Sequence, residues 1–273
     1  MTLIRRQAAR GARGAATRRR RNAVRVGALA VMLLALTGCS TNTTFTRLGF
    51  PNPVTKQGDI TLSLWQGSWL AGMSVGFVVW GLILWAVIFH RKRGDKLPPQ
   101  VRYNMPIEIL YTIVPFVLIA VLFYYTAKDE NTIDNLSPNP NLTVDVTGFQ
   151  WSWEFNYPNY HVTTDGYMWG FGPLPLLEIP VGENVRFNLT SPDVVHSFWV
   201  PEFLFKRDVI PGHPNHFQIT ATQTGTFTGH CSELCGLYHS RMLFTLKIVT
   251  QAQFNTWIAQ QQAIQKTASG STT

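Results

Sequence analysis

The residues with the richest metal-binding chemistry in this sequence lie in one short segment. Cys231, Cys235, His239 and Met242 fall within twelve residues, and such soft ligands select copper, zinc or iron–sulfur groups. The thioether argues against zinc. A mononuclear blue-copper site needs one cysteine, whereas two thiolates could bridge two copper ions that each take one histidine. His196, which lies 35 residues upstream of Cys231 at the start of a predicted strand, could supply the second imidazole.

Two other interpretations of the cysteine pair remain open at this level. The two thiols could form a disulfide in an oxidising compartment. A cysteine and a histidine could instead form a nucleophilic pair, although no third orienting residue is evident. Three other histidines, His213, His216 and His230, are expected to be surface or packing residues. His161 has no evident partner.

The N-terminal segment is predicted to be a targeting signal. Residues 1–38 hold nine arginines and no acid, and the apolar stretch at 26–36 is too short to span a bilayer, which takes about 20 residues. The segment ends in Leu-Thr-Gly-Cys, which resembles a bacterial lipoprotein signal. Residues 1–38 would then be removed and Cys39 would carry a lipid anchor. The alternative is an ordinary secretory signal with an incidental cysteine.

The charge of the chain depends on where it is counted. The net charge is +8, yet residues 39–273 hold 14 bases and 15 acids. The positive excess therefore belongs to the signal segment, and nucleic-acid binding loses its main support. Residues 128–273 hold seven bases and twelve acids, so the last part of the chain is acidic.

Two uncharged apolar runs predict a membrane hairpin that follows an exported segment, 39–59. The predicted helices cover 60–89 and 107–127, and both are long enough to cross a bilayer. The loop at 90–106 holds five bases and one acid, so the positive-inside rule places it in the cytoplasm and both ends of the hairpin outside. The alternative, that one run is a buried core helix, fits neither the lengths nor the flanking charges.

Residues 128–266 are predicted to form an exported β-rich domain. Apolar and polar residues alternate in short runs, for example at 142–147 and 185–190, and turn signals with proline and glycine separate these runs. This pattern is typical of an antiparallel β-sandwich or a Greek-key barrel. Residues 251–266 are predicted to form a terminal helix with one apolar face, and residues 267–273 a disordered tail.

The metal-binding motif resembles a known family. Cys-Ser-Glu-Leu-Cys-Gly-x-x-His-Ser-x-Met at 231–242, with the upstream His196, is similar to the dinuclear CuA site of cytochrome c oxidase subunit II. The aromatic segment at 148–155 resembles that of the same family, as does Ile-Pro-Gly at 210–212. The resemblance covers residues 55–260. It implies a two-helix transmembrane hairpin followed by a cupredoxin-like Greek-key β-sandwich.

Two positions depart from the family pattern. His213 stands where the family usually has arginine, and Ser152 stands where an aromatic residue is common. The contacts of the arginine are therefore not carried over to His213.

The resemblance implies a copper-binding role for each matching residue. Two copper ions that share two thiolates can spread one electron over both metals, so the site changes little on reduction. The implied ligands are the bridging thiolates of Cys231 and Cys235, the terminal imidazoles of His196 and His239, the weak axial thioether of Met242, and the backbone carbonyl of Glu233. The Glu233 carboxylate would also reach a magnesium ion shared with subunit I, since magnesium prefers oxygen ligands.

The resemblance also implies roles outside the copper site. In an extended segment Trp151 and Trp153 point to the same face, so alternation does not choose between them, and the resemblance identifies Trp151 as the contact through which the electron enters. Asp193 and Glu154 are expected to orient a basic cytochrome, with an effect that fades with salt. Glu108 matches a position near the mouth of a proton path into subunit I, although its carboxylate could simply snorkel at the membrane edge.

The implied function is that of the electron-accepting subunit of cytochrome c oxidase in a bacterial cell membrane, with the copper domain on the outer face. Cytochrome c, or a cytochrome c domain, would reduce CuA, which would pass the electron to subunit I. There haem a, haem a3 and CuB would reduce oxygen to water, and protons would be pumped. The oxygen chemistry is assigned to subunit I because this chain has no candidate haem or oxygen site. Subunit III, membrane lipid and a respiratory supercomplex are further implied partners.

Two alternatives from other classes are weighed against this function. The copper domain of a nitrous oxide reductase shares the motif, but it would require a propeller domain and no paired membrane spans. A membrane-anchored copper carrier or assembly lipoprotein would need neither the aromatic segment nor Glu108 at the membrane edge.

Overall fold

The computed structural model describes residues 43–92, 94, 100–166 and 172–270. The predicted signal segment 1–38 and the predicted lipidation site Cys39 lie outside the described residues. The chain divides into two units, Met1–Gly49 and Phe50–Thr273. The described part of the first unit is a turn in which Thr43 and Thr46 exchange hydrogen bonds. The helices, the β-domain and the candidate site all belong to the second unit.

Two long apolar helices form the predicted hairpin. Helix α1 spans Lys56–Phe89 and helix α2 spans Met105–Asp134. Their most apolar windows have mean hydropathies of 2.2 and 2.3, and 0% of either window is buried. A core helix of a soluble protein would be covered by other elements, so that alternative is wrong. Both helices are long and apolar enough to cross a membrane.

Both helices extend beyond their predicted bounds. Helix α1 begins four residues early because the Thr55 hydroxyl caps it, accepting a hydrogen bond from Gly58 N at 2.9 Å. Helix α2 begins at Met105 behind the Asn104 cap and continues through the polar residues 128–134. An apolar run marks only the membrane-crossing part of a helix, whereas caps and polar turns decide where the helix begins and ends.

The β-domain consists of two five-stranded sheets that share one core, which confirms the predicted sandwich. The strand order is β3-β2-β1-β5-β8 in one sheet and β4-β10-β9-β6-β7 in the other. The strands are β1 Leu142–Phe149, β2 Ser152–Tyr157, β3 Val162–Asp165, β4 Leu176–Pro180, β5 Asn184–Thr190, β6 His196–Val200, β7 Phe205–Val209, β8 Asn215–Thr220, β9 Gly225–Cys231 and β10 Leu243–Val249.

The sheets are mixed, whereas the sequence predicted antiparallel pairing. Strand β1 runs parallel to β5, and β4 runs parallel to β10, while the other pairs are antiparallel. Side chains alternate with a period of two in either kind of strand. Alternation therefore predicts strands but not their relative direction.

Aromatic side chains from both sheets fill the core. Phe187 stacks on Phe217 in the first sheet, with ring centroids 4.8 Å apart, and contacts Phe198 of the second sheet at 5.6 Å. Trp153 and Phe155 of β2 are fully buried and contact Phe244. Each aromatic pair contributes about 0.5–1.5 kcal/mol beyond its buried area. Cys231, Cys235 and Met242 of the candidate metal-binding segment pack into this core.

Polar contacts attach the sandwich to the hairpin. Gln57 Oε1 of α1 accepts a hydrogen bond from Thr220 N of β8 at 3.1 Å. Asp134, the last residue of α2, forms an ion pair with Arg207 of β7. The ends of both helices are thus bound to neighbouring parts of the β-domain.

The C-terminal helix α3 spans Gln251–Gly270. Phe254, Trp257 and Ile258 on its apolar face are buried against the sandwich. The predicted end at residue 266 and the first part of the predicted tail need correction, because residues 267–270 are helical; residues 271–273 of the predicted tail lie outside the described residues. Thr267 does not break the helix, since its hydroxyl donates to Ala263 O one turn back at 2.9 Å.

Candidate metal centre

Two neighbouring strands and one loop position the candidate ligands. His196 is the first residue of β6 and Cys231 is the last residue of β9, and these strands pair with Phe198 opposite Cys231. Cys235 and His239 lie on the loop that connects β9 to β10, and Met242 immediately precedes β10. The sandwich therefore brings His196 next to a loop that is 35 residues away in sequence.

The other three candidate side chains lie around the two cysteines. The Cys231 and Cys235 sulfurs are 3.7 Å apart, well beyond the roughly 2.05 Å of a disulfide, and both thiols are free. His196 Nδ1 lies 3.8 Å from Cys231 Sγ, and His239 Nδ1 lies 3.5 Å from Cys235 Sγ. Met242 Sδ lies 3.7 Å from Cys235 Sγ. Each sulfur therefore faces one imidazole nitrogen.

The backbone adds one oxygen to this set. The Glu233 carbonyl oxygen lies 3.2 Å from Cys231 Sγ. His196, Cys231 and Cys235 form a cluster whose possible ligand atoms all lie within 4.8 Å of one another. His196 and Met242 are fully buried, both cysteines are nearly so, and His239 is partly exposed. The site is therefore mostly buried, with one edge at the surface.

The electrostatics of the thiols favour a bound cation. Burial raises the pKa of both thiols, but hydrogen bonds from the His196 side chain and from the Ser197 backbone outweigh it at Cys231 and lower the pKa of that thiol. At Cys235 burial and the neighbouring Cys231 charge both raise the pKa. One thiolate thus forms readily, and the second needs positive charge. Soft cations between the sulfurs would supply that charge, so the donor set fits copper.

Asp193 has a structural role that the sequence did not reveal. Its Oδ1 lies 2.9 Å from His196 Nε2, and its carboxylate also accepts from Gln150 N and Val194 N at 2.7 and 2.6 Å and from the Ser191 hydroxyl at 3.1 Å. Burial raises the pKa of Asp193, yet these hydrogen bonds outweigh it and lower the pKa. The contact fixes the His196 ring with Nδ1 toward Cys231. The spacing Asp-x-x-His was the available signal for this pairing.

The turn between β1 and β2 covers the other cysteine. Gln150 Nε2 and Trp151 Nε1 both donate to the Cys235 carbonyl, at 2.7 and 3.1 Å. The half-buried Trp151 ring also makes an edge contact with Tyr238, at 5.1 Å between centroids. Trp153, by contrast, is fully buried, so the fold separates two tryptophans that alternation could not. Sequence reasoning named Gln150 only as part of a motif and missed its contact.

Exposed apolar side chains lie close to the candidate ligands in the chain. Among the described residues of the two sheets and their connecting loops, five large hydrophobic side chains are exposed. Val195 and Leu234 adjoin candidate ligands in the chain, and Leu237 lies two residues from both Cys235 and His239. Val195 is 42% exposed, Leu234 83% and Leu237 79%. The other two are Leu174 and Trp199.

The remaining predicted site residues are not gathered at the sulfurs. The Glu233 carboxylate points away from them and forms an ion pair with Lys206 Nζ at 3.1 Å. Glu154 is half-buried on β2, opposite Thr147 and Asp165. Glu108 lies in the first turn of α2, where Oε1 accepts from Asn104 N at 2.9 Å. Glu108 therefore helps to cap its helix, which neither sequence interpretation included.

The other histidines lie outside the cluster. His230 packs against Trp199 with ring centroids 5.5 Å apart, and burial lowers its pKa. His161, His213 and His216 are exposed. The expectation of surface or packing residues is therefore confirmed for His213, His216 and His230.

Comparison with known proteins identifies the family. The family model "Cytochrome C oxidase subunit II, periplasmic domain" matches residues 142–249. The chain is 48% identical over 261 residues to the probable cytochrome c oxidase subunit 2 of Streptomyces avermitilis, covering 82% of each chain. It is 36% identical over 295 residues to the cytochrome c oxidase subunit 2 of Mycobacterium tuberculosis, covering 87% of this chain and 80% of the relative.

A solved structure is also similar. The periplasmic domain of subunit II of cytochrome oxidase of Bradyrhizobium japonicum is 32% identical, with a TM-score of 0.43, and the match covers 47% of this chain and 98% of that chain. With its two membrane-capable helices and its cupredoxin-like β-sandwich, the chain belongs to the cytochrome c oxidase subunit II family.

Proposed function

We propose that this chain accepts electrons from cytochrome c at a dinuclear copper centre and passes them to haem in subunit I. Oxygen would be reduced to water there, coupled to proton pumping. The observation that carries the proposal is the pair of free thiols 3.7 Å apart, each facing one imidazole nitrogen. A mononuclear site would use one thiolate, whereas this arrangement offers an equivalent set of donors to each of two ions.

The ligand assignment follows from the atoms that face the sulfurs. The thiolates of Cys231 and Cys235 would hold both copper ions, with the Nδ1 atoms of His196 and His239, the Met242 thioether and the Glu233 carbonyl as the other ligands. Two copper ions bound here would supply one-electron redox chemistry. The proposal assigns no other metal to the sulfurs.

The protein keeps this set of donors fixed. Cys231 and His196 are held by paired strands, and Asp193 holds the His196 ring through Nε2. Buried ligands whose outer atoms are hydrogen-bonded to the protein move little between oxidation states. This small movement favours fast electron transfer. Burial also keeps water and foreign ligands away from the thiolates.

Trp151 is the proposed point at which the electron enters. Its indole is partly exposed and donates a hydrogen bond to the Cys235 carbonyl, so a partner that touches the ring is one hydrogen bond away from a copper ligand. The exposed side chains of Val195, Leu234 and Leu237, which lie close to candidate ligands in the chain, would add apolar surface. An apolar haem edge of a cytochrome c fits such a surface. Glu154 is a proposed docking acid for the cytochrome. The Asp193 carboxylate is less available for docking, because it is already hydrogen-bonded to four groups of this chain.

The remaining sites extend the proposal to the assembled oxidase. Glu233 would hold a magnesium ion at the boundary with subunit I, which requires its carboxylate to leave Lys206. Glu108 would lie at the mouth of a proton path. Cys39 would carry a lipid, and the copper domain would lie on the outer face of a bacterial membrane. Subunit III and a supercomplex with the cytochrome donor are further proposed partners.

The proposal is tested by substituting Trp151. Trp151→Gln should leave the copper spectrum intact and strongly slow reduction of the centre by cytochrome c, measured by stopped-flow absorption. Trp199→Gln is the matched control, because Trp199 is also partly exposed on the β-domain but contacts His230 rather than Cys235. Normal reduction of Trp151→Gln, with slow reduction of Trp199→Gln, would move the entrance to Trp199.

A further inference from the structure

One residue, Gln150, is hydrogen-bonded to both sides of the candidate metal centre, once through its backbone and once through its side chain. The Gln150 backbone N–H donates to Asp193 Oδ2 at 2.7 Å, and the Gln150 side-chain Nε2 donates to the Cys235 carbonyl at 2.7 Å. Asp193 in turn holds His196 Nε2 at 2.9 Å through its other oxygen. A continuous chain of hydrogen bonds therefore runs from a histidine on β6 to a cysteine on the β9–β10 loop, and it passes through the β1–β2 turn.

The loop needs such a tie because strand pairing does not reach it. Cys231 is the last paired residue of β9, and Cys235 follows four residues later on a loop with no strand partner. Ser232 N still donates to Ser197 O of β6 at 3.2 Å, so the separation of the two sulfurs depends on what holds residues 233–238. Gly236 shows how closely the turn covers this loop, since a Cβ atom there would lie 3.2 Å from Gln150 Nε2 and 3.1 Å from the Trp151 ring.

We propose that Gln150 is a positioning residue that sets the place of Cys235 relative to His196, and thereby the geometry of the copper centre. This inference rests on the proposed function. Trp151 shares the Cys235 carbonyl but has no bond to Asp193 among the described contacts. Among the described contacts, Gln150 is the residue that bonds both to Asp193, which holds His196, and to Cys235, and its side-chain amide must donate for this link to exist.

The experiment compares two glutamines that make the same kind of bond. Gln150→Met keeps the length of the side chain and removes its donor. Gln262→Met is the control, because Gln262 Nε2 also donates from a part-buried side chain to a carbonyl, that of Tyr160 at 2.8 Å, far from the sulfurs in sequence. Each full chain is purified, loaded with copper, and challenged with bicinchoninate, a Cu(I) chelator.

Loss of an outer contact behind a metal ligand weakens metal retention by about 10- to 100-fold. We expect Gln150→Met to lose copper about tenfold faster than wild type and to show a shifted copper absorption and EPR spectrum, while Gln262→Met matches wild type in both. Gln150→Glu, which places an acceptor against the carbonyl, should be at least as impaired. Its partly exposed side chain can reach water, so this variant folds even if the methionine variant does not.

The outcomes separate this inference from the proposed function. Wild-type retention and spectra in both Gln150 variants would overturn the positioning role and leave the copper site standing. A wild-type chain that takes up no copper would overturn both.

Discussion

Asp193→Asn separates two roles that sequence and structure assign to one carboxylate. As a docking acid, Asp193 would act on a partner across solvent. In the structure it accepts hydrogen bonds from two backbone N–H groups, a hydroxyl and the His196 ring. Asparagine keeps one of the two acceptor oxygens and replaces the other with a donor. Placed at Oδ2, that donor would face the Gln150 N–H, which lies 2.7 Å away.

The expected loss follows from these contacts. A hydrogen bond to a charged group contributes about 1.5–3 kcal/mol, and a buried donor without a partner costs a similar amount. The Asp193 side chain is 29% exposed, so water offsets part of the second effect. We therefore expect Asp193→Asn to lower the free energy of unfolding by about 1.5–3 kcal/mol.

The assay is guanidinium denaturation of the copper-free full chain in detergent, which keeps loss of metal out of the measurement. Glu154→Gln is the matched change at the other predicted docking acid, and it should alter unfolding by less than about 0.5 kcal/mol. Our reasoning is refuted if Asp193→Asn unfolds like wild type and its only defect is slow reduction by cytochrome c that varies with ionic strength. That result would make Asp193 a docking acid.

Three further predictions concern other residues. Gly236 has φ +119° and lies against Trp151, so Gly236→Ala should lower the free energy of unfolding by about 1–3 kcal/mol in the same assay and should lose copper faster. Gly182 has φ +85° but lies in open space, so Gly182→Ala should lower stability without affecting copper retention. Burial raises the pKa of Glu178 above its ordinary 4.5, with Lys247 opposing. The stability that this group contributes is therefore fully present below pH 4.5 and is lost as pH rises through the raised pKa. Glu178→Gln should remove this loss, measured as the change in the thermal unfolding midpoint between pH 4 and 7. Glu108→Ala and Glu108→Gln should both slow oxidase turnover at unchanged copper content; normal turnover in Glu108→Gln, which can still cap α2, would leave only the capping role.

The candidate ligand cluster is predictable from sequence because most of it is local. Cys231, Cys235, His239 and Met242 lie within twelve residues, and their types indicate a soft metal ion, with the thioether arguing against zinc. His196 was reachable because it begins a strand, although only the pairing of β6 with β9 shows that it faces Cys231.

The contacts behind the ligands were not predictable in the same way. Gln150 and Asp193 are 43 residues apart, and Gln150 and Cys235 are 85 apart; no local pattern marks such pairs. Trp151 and Trp153 look equivalent in an alternating strand, but Trp151 lies in the turn before β2 and only Trp153 enters the core. The relative direction of paired strands was not predictable either, because side chains alternate in the same way in parallel and antiparallel pairs.

The central claim is that two copper ions share the two thiolates, and copper analysis with EPR spectroscopy of the purified full chain tests it most directly. The account predicts two copper ions per chain with one unpaired electron shared between them, a signal that Cys231→Ser and Cys235→Ser each abolish. Ser240→Ala, an exposed change on the same loop, should retain it. One copper ion per chain, or a normal two-copper spectrum in Cys235→Ser, would contradict the account.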